Sequence, residues 1–184
     1  MKEKVDLSKF DNSWYCTNRS LAARALWIGV SAIIFQNNLF PFYRAKIILL
    51  RIFGAKIGQN CVIKPCVNIK YPWNLEIGNF VWIGEQVWID NLAKIFIDNN
   101  VCISQGALLI TGNHNYKKEG FDLIIDQITL EEGVWICAKS IVGPGVTCRK
   151  NSILCLGSVA NNELSANSIY QGNPAIKIKN RLIG

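Results

Sequence analysis

From Ile57 onward, apolar residues recur six apart, and this spacing limits the possible folds more than any other feature of the chain. IGQNCV, IKPCVN and IKYPWN are headed by Ile57, Ile63 and Ile69; IGNFVW, IGEQVW and IDNLAK by Ile77, Ile83 and Ile89; IDNNVC, ISQGAL and LITGNH by Ile97, Ile103 and Leu109. After a gap the pattern resumes at Leu130, Ile136, Val142, Cys148 and Leu154. The fifth residue of each unit is small or β-branched, Trp73 and Asn113 excepted, and Gly, Asp, Asn and Lys fill the turns. A period of six is neither the 3.6 of a helix nor the alternation of a hairpin. It fits a solenoid whose coil has three short strands, each sending one apolar residue into a narrow shared core. Three hexads make a coil of 18, as from Leu130 to Cys148, whereas the coil starts at 57, 77 and 97 are 20 apart, so two extra residues sit at one corner of each.

Half of the residues are hydrophobic and 18% are charged, so disorder is excluded and the repeat has a core to fill. The net charge of +7 is uneven: residues 1–56 hold nine Lys/Arg against three acids, and the rest hold eleven against ten. A nucleic-acid groove across the whole domain is therefore not expected. The seven cysteines form no C-x-x-C pair and no signal-peptide pattern precedes them, which points to buried free thiols in a reducing cytoplasm. No metal site is expected, since zinc wants several histidines or paired cysteines. The uncharged stretch from Ala25 to Tyr43 is interrupted by Gln36, Asn37, Asn38 and Pro41 and is not read as a transmembrane helix.

The hexads stop between His114, the sole histidine, and Ile128. NYKKEGFDLIIDQ is charged and leaves the solenoid as a loop, and loops on rigid scaffolds are where function concentrates. A lone histidine at a corner is either a solvated surface residue or a base. An imidazole with a pKa near ~6.5 can take a proton from a hydroxyl at physiological pH. Cys102, a dozen residues earlier, raises a Cys–His nucleophile pair as an alternative.

FGAKIG (53–58), VWIGEQVWIDN (81–91), VCISQGALLITGNHNY (101–116), GVWICAKSIVGPGVT (133–147) and GNPA (172–175) together resemble the hexapeptide-repeat acyltransferases, most closely their colanic-acid biosynthesis acetyltransferases within the maltose, galactoside and nodulation acetyltransferase group. The resemblance covers roughly residues 50 to 180 and implies an all-β solenoid, a left-handed parallel β-helix. It implies that His114 is the general base of direct acetyl transfer from acetyl-CoA to a sugar hydroxyl, without an acyl-enzyme. It makes Asp90 and Asn91 candidates to orient the imidazole, with corner chemistry as the plainer reading of both. Gln86 or Gly84, with Asn113 and Tyr116, would line the acceptor pocket. Trp135, Ala138 and Gly157 would line the cofactor arm, and the Pro-Gly corner of VGPGVT would let pantetheine approach the backbone. Outward packing at a subunit contact is the other reading of Trp135, which shares its hexad position with Trp82 and Trp88. Asn162 stands where many relatives carry a phosphate-binding lysine, so Lys177, Lys179 and Arg181, or Arg149 and Lys150, become the candidates for that contact. The γ-class carbonic anhydrases share the coil, but their zinc needs three histidines.

Residues 20–56 read as one or two amphipathic helices, Ser20 capping the first and Pro41 separating them. They either cap the first coil or also lie on a membrane near a lipid-linked acceptor. The expected organisation is a basic helical region over 1–56, a β-helix over 57–165 with a loop at 115–129, and a tail over 166–184. The resemblance implies a cytoplasmic homotrimer with sites between subunits, acting in exopolysaccharide, capsule or O-antigen assembly. An antibiotic or amino-sugar acceptor, and a non-catalytic trimeric scaffold, remain open alternatives.

Overall fold

Hexads close into a solenoid when each inward residue stacks on its counterparts in the coils above and below. The computed structural model, which describes residues 4–184, has this arrangement. The first face is a parallel sheet of Lys56–Ile57, Leu75–Ile77, Ile95–Ile97, Ile128–Leu130 and Thr147–Cys148. Val62–Ile63, Trp82–Ile83, Cys102–Ile103, Trp135–Ile136 and Ile153–Leu154 form the second, and Asn68–Ile69, Trp88–Asp90, Leu108–Ile110, Ile141–Val142 and Val159–Ala160 the third. The hexad heads Ile63, Ile83, Ile103, Ile136 and Leu154 are buried in one column, and the fifth-position residues Val67, Val81, Val87, Val101 and Ala107 are buried beside them. Period six therefore encodes two inward residues per strand and corner.

The corners carry left-handed backbone, which Asn and Gly accept at least cost. Asn60, Asn100 and Asn151 have φ of 55°, 59° and 57°, and Gly106 and Gly157 take the equivalent role between the second and third faces. The two extra residues of the 20-residue coils fall between the third and first faces, since Ile57, Ile63 and Ile69 follow one another at six while Ile77 on the first face is eight beyond Ile69. The long excursion after Ile110 leaves from this same corner one coil later.

That excursion, from Thr111 to Gln127, is more ordered than the loop expected over 115–129 and both leaves and rejoins the coil earlier. Gly112–His114 pairs antiparallel with Leu123–Ile125, and Ile128–Leu130 already lies on the first face beside Ile95–Ile97. The backbone donors of a charged segment need partners, and a two-stranded ribbon supplies them. Beyond the last coil, Ser168–Gly172 joins the second face in parallel, and Ala175–Asn180 turns back against it.

Two helices precede the solenoid. Helix α1 (Leu21–Val30) is capped by Ser20, whose Oγ accepts from the Ala23 N–H at 3.2 Å, and continues through a wider turn at Ser31–Phe35; α2 spans Tyr43–Ile52. Trp27, Phe35 and Leu50 are buried against the first coil, Trp27 Nε1 donates to the Ile69 carbonyl at 2.9 Å, and Lys46 Nζ to the Lys64 carbonyl at 3.0 Å. The helices thus cover the apolar end of the solenoid. No helix among the described residues is long and apolar enough to cross a membrane. All seven cysteines are free, but only Cys61 and Cys148 are buried; Cys16 is exposed and the others are half-buried, correcting the expectation of uniformly buried thiols.

Candidate active site

His114 sits on the first strand of the hairpin, one step beyond the corner, half-buried and opposite Leu123. Its Nδ1 lies 2.9 Å from the carbonyl oxygen of Phe121. A carbonyl only accepts, so the neutral ring carries its proton on Nδ1 and leaves the lone pair on Nε2. The Phe121 ring stacks on the imidazole with centroids 4.5 Å apart and planes 8° from parallel, and Phe10 approaches at 5.8 Å. Phe121 adopts φ +52°, unusual for a bulky residue and found where the surroundings over-determine the backbone. The imidazole is thereby fixed in tautomer and orientation.

Asp90 and Asn91 do not orient the ring, which corrects the sequence expectation. Asp90 pairs with Lys70 at 2.8 Å. Asn91 is fully buried, accepting from the Tyr71 N–H at 2.8 Å and donating to the Tyr71 carbonyl at 2.7 Å. One coil on, the buried Thr111 hydroxyl accepts from the Ala93 N–H and donates to the Asp90 carbonyl. These groups satisfy the backbone of the extra-residue corner, and a carbonyl seven residues ahead of His114 does the orienting.

Sequence reasoning missed the N-terminal strap that holds the hairpin. The Asp6 N–H donates to the Glu119 carbonyl at 2.9 Å, Lys9 pairs with Glu119 at 2.8 Å, and the Asp11 N–H donates to the Asp122 carboxylate at 3.2 Å. A Cβ on Gly120 would stand 2.6 Å from the Lys9 carbonyl, so this close approach requires glycine. On the other side of the hairpin, Gly145 combines φ +77° with Asp126 packed where its Cβ would be. No spacing signal marked Phe10, Gly120 or Phe121, since their contacts span elements the hexad pattern does not describe.

Beside the hairpin an open groove of about 500 Å³ is lined by Asn113, Ile124, Ile125, Asp126, Gly143, Pro144 and Asn161. Asn113 and the Pro-Gly corner therefore meet in this groove, whereas His114, the next residue along the strand, is not part of its lining and packs against Phe10 and Phe121. Tyr116 is exposed at the hairpin tip. Gln86 lies elsewhere, exposed at the corner between the second and third faces, and Gly84 packs on the next coil, where a Cβ would meet the Gln105 nitrogen at 2.7 Å.

Trp135 projects outward from the second face, its Nε1 donating to Ser104 Oγ at 2.9 Å, and Ala138 and Gly157 stack at the adjoining corner, the Gly157 N–H on the Ala138 carbonyl at 3.0 Å. Within one chain this band and His114 occupy opposite edges of the third face. Arg149 and Lys150 are committed to Glu131, Glu163 and Glu132, and Arg181 donates to the carbonyls of Gly133 and Asn151. Lys177 and Lys179 stay exposed on the terminal strand, as do Asn162 and Lys139 at coil corners, and none of these lysines has an ion pair among the described residues. Cys102 lies between Trp82 and Trp135 on the second face, and burial raises its thiol pKa, with a smaller opposing effect from Ser104. A raised pKa leaves little thiolate for nucleophilic attack. No cluster of metal ligands occurs among the described residues.

No family model matches the chain. It is 38% identical over 157 residues to the colanic acid biosynthesis acetyltransferase WcaF of Escherichia coli, covering 85% of this chain and 86% of that protein. It is 28% identical over 135 residues to the Escherichia coli galactoside O-acetyltransferase, covering 71% and 66%. Among solved structures, a Vibrio cholerae hexapeptide-repeat acetyltransferase complexed with acetyl coenzyme A superposes with a TM-score of 0.78 at 22% identity, covering 88% of each chain.

Proposed function

The chain belongs to the family of the colanic acid biosynthesis acetyltransferase WcaF, among the hexapeptide-repeat acyltransferases, and on that premise we propose that it acetylates a sugar hydroxyl from acetyl-CoA with His114 as base. The observation that carries this reading is the Phe121 carbonyl on Nδ1, which leaves the Nε2 lone pair without a hydrogen-bond partner among the described residues, at the hairpin where the solenoid is interrupted. Nε2 takes the hydroxyl proton as the sugar oxygen bonds to the thioester carbonyl carbon. The tetrahedral adduct then collapses with cleavage of the C–S bond, and the imidazolium returns its proton to the departing thiolate. No covalent acyl-enzyme is needed, in keeping with the half-buried, raised-pKa Cys102.

Acetyl-CoA is a co-substrate in this scheme, its pantetheine along Trp135, Ala138 and Gly157 and its phosphates toward Lys177 and Lys179. Because that band and His114 lie across the third face from each other, a homotrimer would bring one subunit's band to its neighbour's histidine. Residues 57–165 would carry the chemistry, 1–56 the cap and strap, and 166–184 the terminal strands. The chain would work on the cytoplasmic side, residues 20–56 toward the membrane, on a sugar of exopolysaccharide, capsule or O-antigen assembly.

The test is thiol release from acetyl-CoA across a panel of mono- and oligosaccharides, with amino sugars and aminoglycosides included. Hydroxyl acceptors turning over fastest is the expected result; a preference for amines would replace the acceptor, and absence of acetyl-CoA binding would leave only the scaffold. Trp135→Ala is expected to raise KM for acetyl-CoA about tenfold with kcat within about twofold, the pattern of lost uniform binding. An unchanged KM would return Trp135 to the role of an outward packing residue.

A further inference from the structure

We propose that the outer face of the helical cap docks onto an anionic lipid bilayer. Along Leu21–Phe35 the side turned to the solenoid is Trp27, Ser31 and Phe35, all buried. Every exposed residue from Leu21 to Ile33 is Leu, Ala, Ile or Gly, and Leu21, Leu26, Ile28 and Ile33 are 76%, 63%, 67% and 67% exposed. Leu39 at 87% and Phe42 at 65% extend the same apolar surface. Single exposed leucines are ordinary, but a helix face without one polar side chain marks an interaction surface.

Charge selects the occupant. From Asn12 to Leu75 the chain has no Asp or Glu, yet it carries Arg19, Arg24, Arg44, Lys46, Arg51, Lys56, Lys64 and Lys70. Arg19, Arg44, Arg51 and Lys64 are exposed around the cap. An apolar stripe with cations and no acid around it matches acyl chains beneath anionic headgroups. Leu21–Phe35 is about 22 Å long at 1.5 Å per residue and, its inner side being fixed to the first coil, would lie in the interface rather than cross it. In a cyclic trimer the three copies of this face stand at one height along the symmetry axis, so they would engage one surface together. Only the purpose of docking rests on the acetyltransferase reading, namely access to a lipid-carried acceptor; the docking itself does not.

The experiment is flotation of the full chain with phosphatidylglycerol/phosphatidylethanolamine vesicles and with phosphatidylcholine vesicles. Binding to the anionic vesicles that weakens on phosphatidylcholine and at high salt is expected. Leu26→Glu combined with Ile33→Glu should reduce partitioning at least tenfold, with unchanged thiol release on a soluble acceptor. No flotation with anionic vesicles, or a double variant that floats like wild type, overturns the proposal. A larger assembly that the double variant breaks, without vesicle binding, would assign the face to a second copy and overturn it equally. Thiol release by the same preparations reports separately on the catalytic reading.

Discussion

Replacing His114 with alanine is expected to lower kcat/KM for acetyl transfer by about 10²–10⁴, the usual contribution of a positioned general base. Binding of acetyl-CoA should persist, because no cofactor contact is assigned to the imidazole, and thermal stability should change little. The loss should appear in kcat, since proton removal matters at the transition state rather than in the ground-state complex. His114→Gln should not rescue, as an amide does not accept the proton. Cys102→Ala should stay within about twofold of wild type, because direct transfer uses no thiol. The reverse outcome, an active His114→Ala and an inactive Cys102→Ala, would replace direct transfer with an acyl-enzyme. The check is steady-state kinetics of all three variants alongside isothermal titration with CoA.

Asn91→Ala carries the largest expected effect on stability. The side chain is fully buried and satisfies both the N–H and the carbonyl of Tyr71. Its own carbonyl accepts from Asn74 Nδ2 at 3.2 Å, so the whole corner is tied together. Alanine would leave the Tyr71 N–H unpaired, at about 1–3 kcal/mol, while the Tyr71 carbonyl would lose one of two donors and keep the Asn74 N–H at 3.0 Å. About 1–3 kcal/mol corresponds to a Tm roughly 2–12 °C lower for a chain of this size. Activity per folded molecule should remain within severalfold of wild type. Calorimetry and kinetics on one preparation separate the cases: an unchanged Tm with a hundredfold loss of turnover would mean that Asn91 acts in the site after all.

The solenoid was legible because its core is one-dimensional. Each inward position repeats the environment of the one six residues before, so Ile63, Ile83 and Ile103 announce a column without knowledge of anything else in the chain. The break at His114 was legible for the same reason, as a departure from a strict pattern. What holds the histidine was not. The Phe121 carbonyl is backbone chemistry that any residue type could supply, and its position depends on the hairpin turn rather than on a motif. The family resemblance put the orienting role on Asp90 and Asn91, while their residue types suited the extra-residue corner, whose backbone they serve. Likewise Arg149 and Lys150 looked like phosphate ligands by charge, but Glu131, Glu132 and Glu163, on neighbouring coils and at the next corner, meet them first. The strap of residues 5–12 joins the hairpin more than a hundred residues away in sequence through main-chain bonds, a contact with no periodicity to reveal it.

The most direct measurement is to follow acetyl-CoA labelled with ¹³C at the acetyl carbonyl into product by NMR, using the best acceptor from the sugar panel. The account predicts one ester carbonyl resonance coupled to a single downfield-shifted sugar proton, present with wild type and absent with His114→Ala. Label arriving on nitrogen, trapped on the protein, or released only as acetate would contradict it.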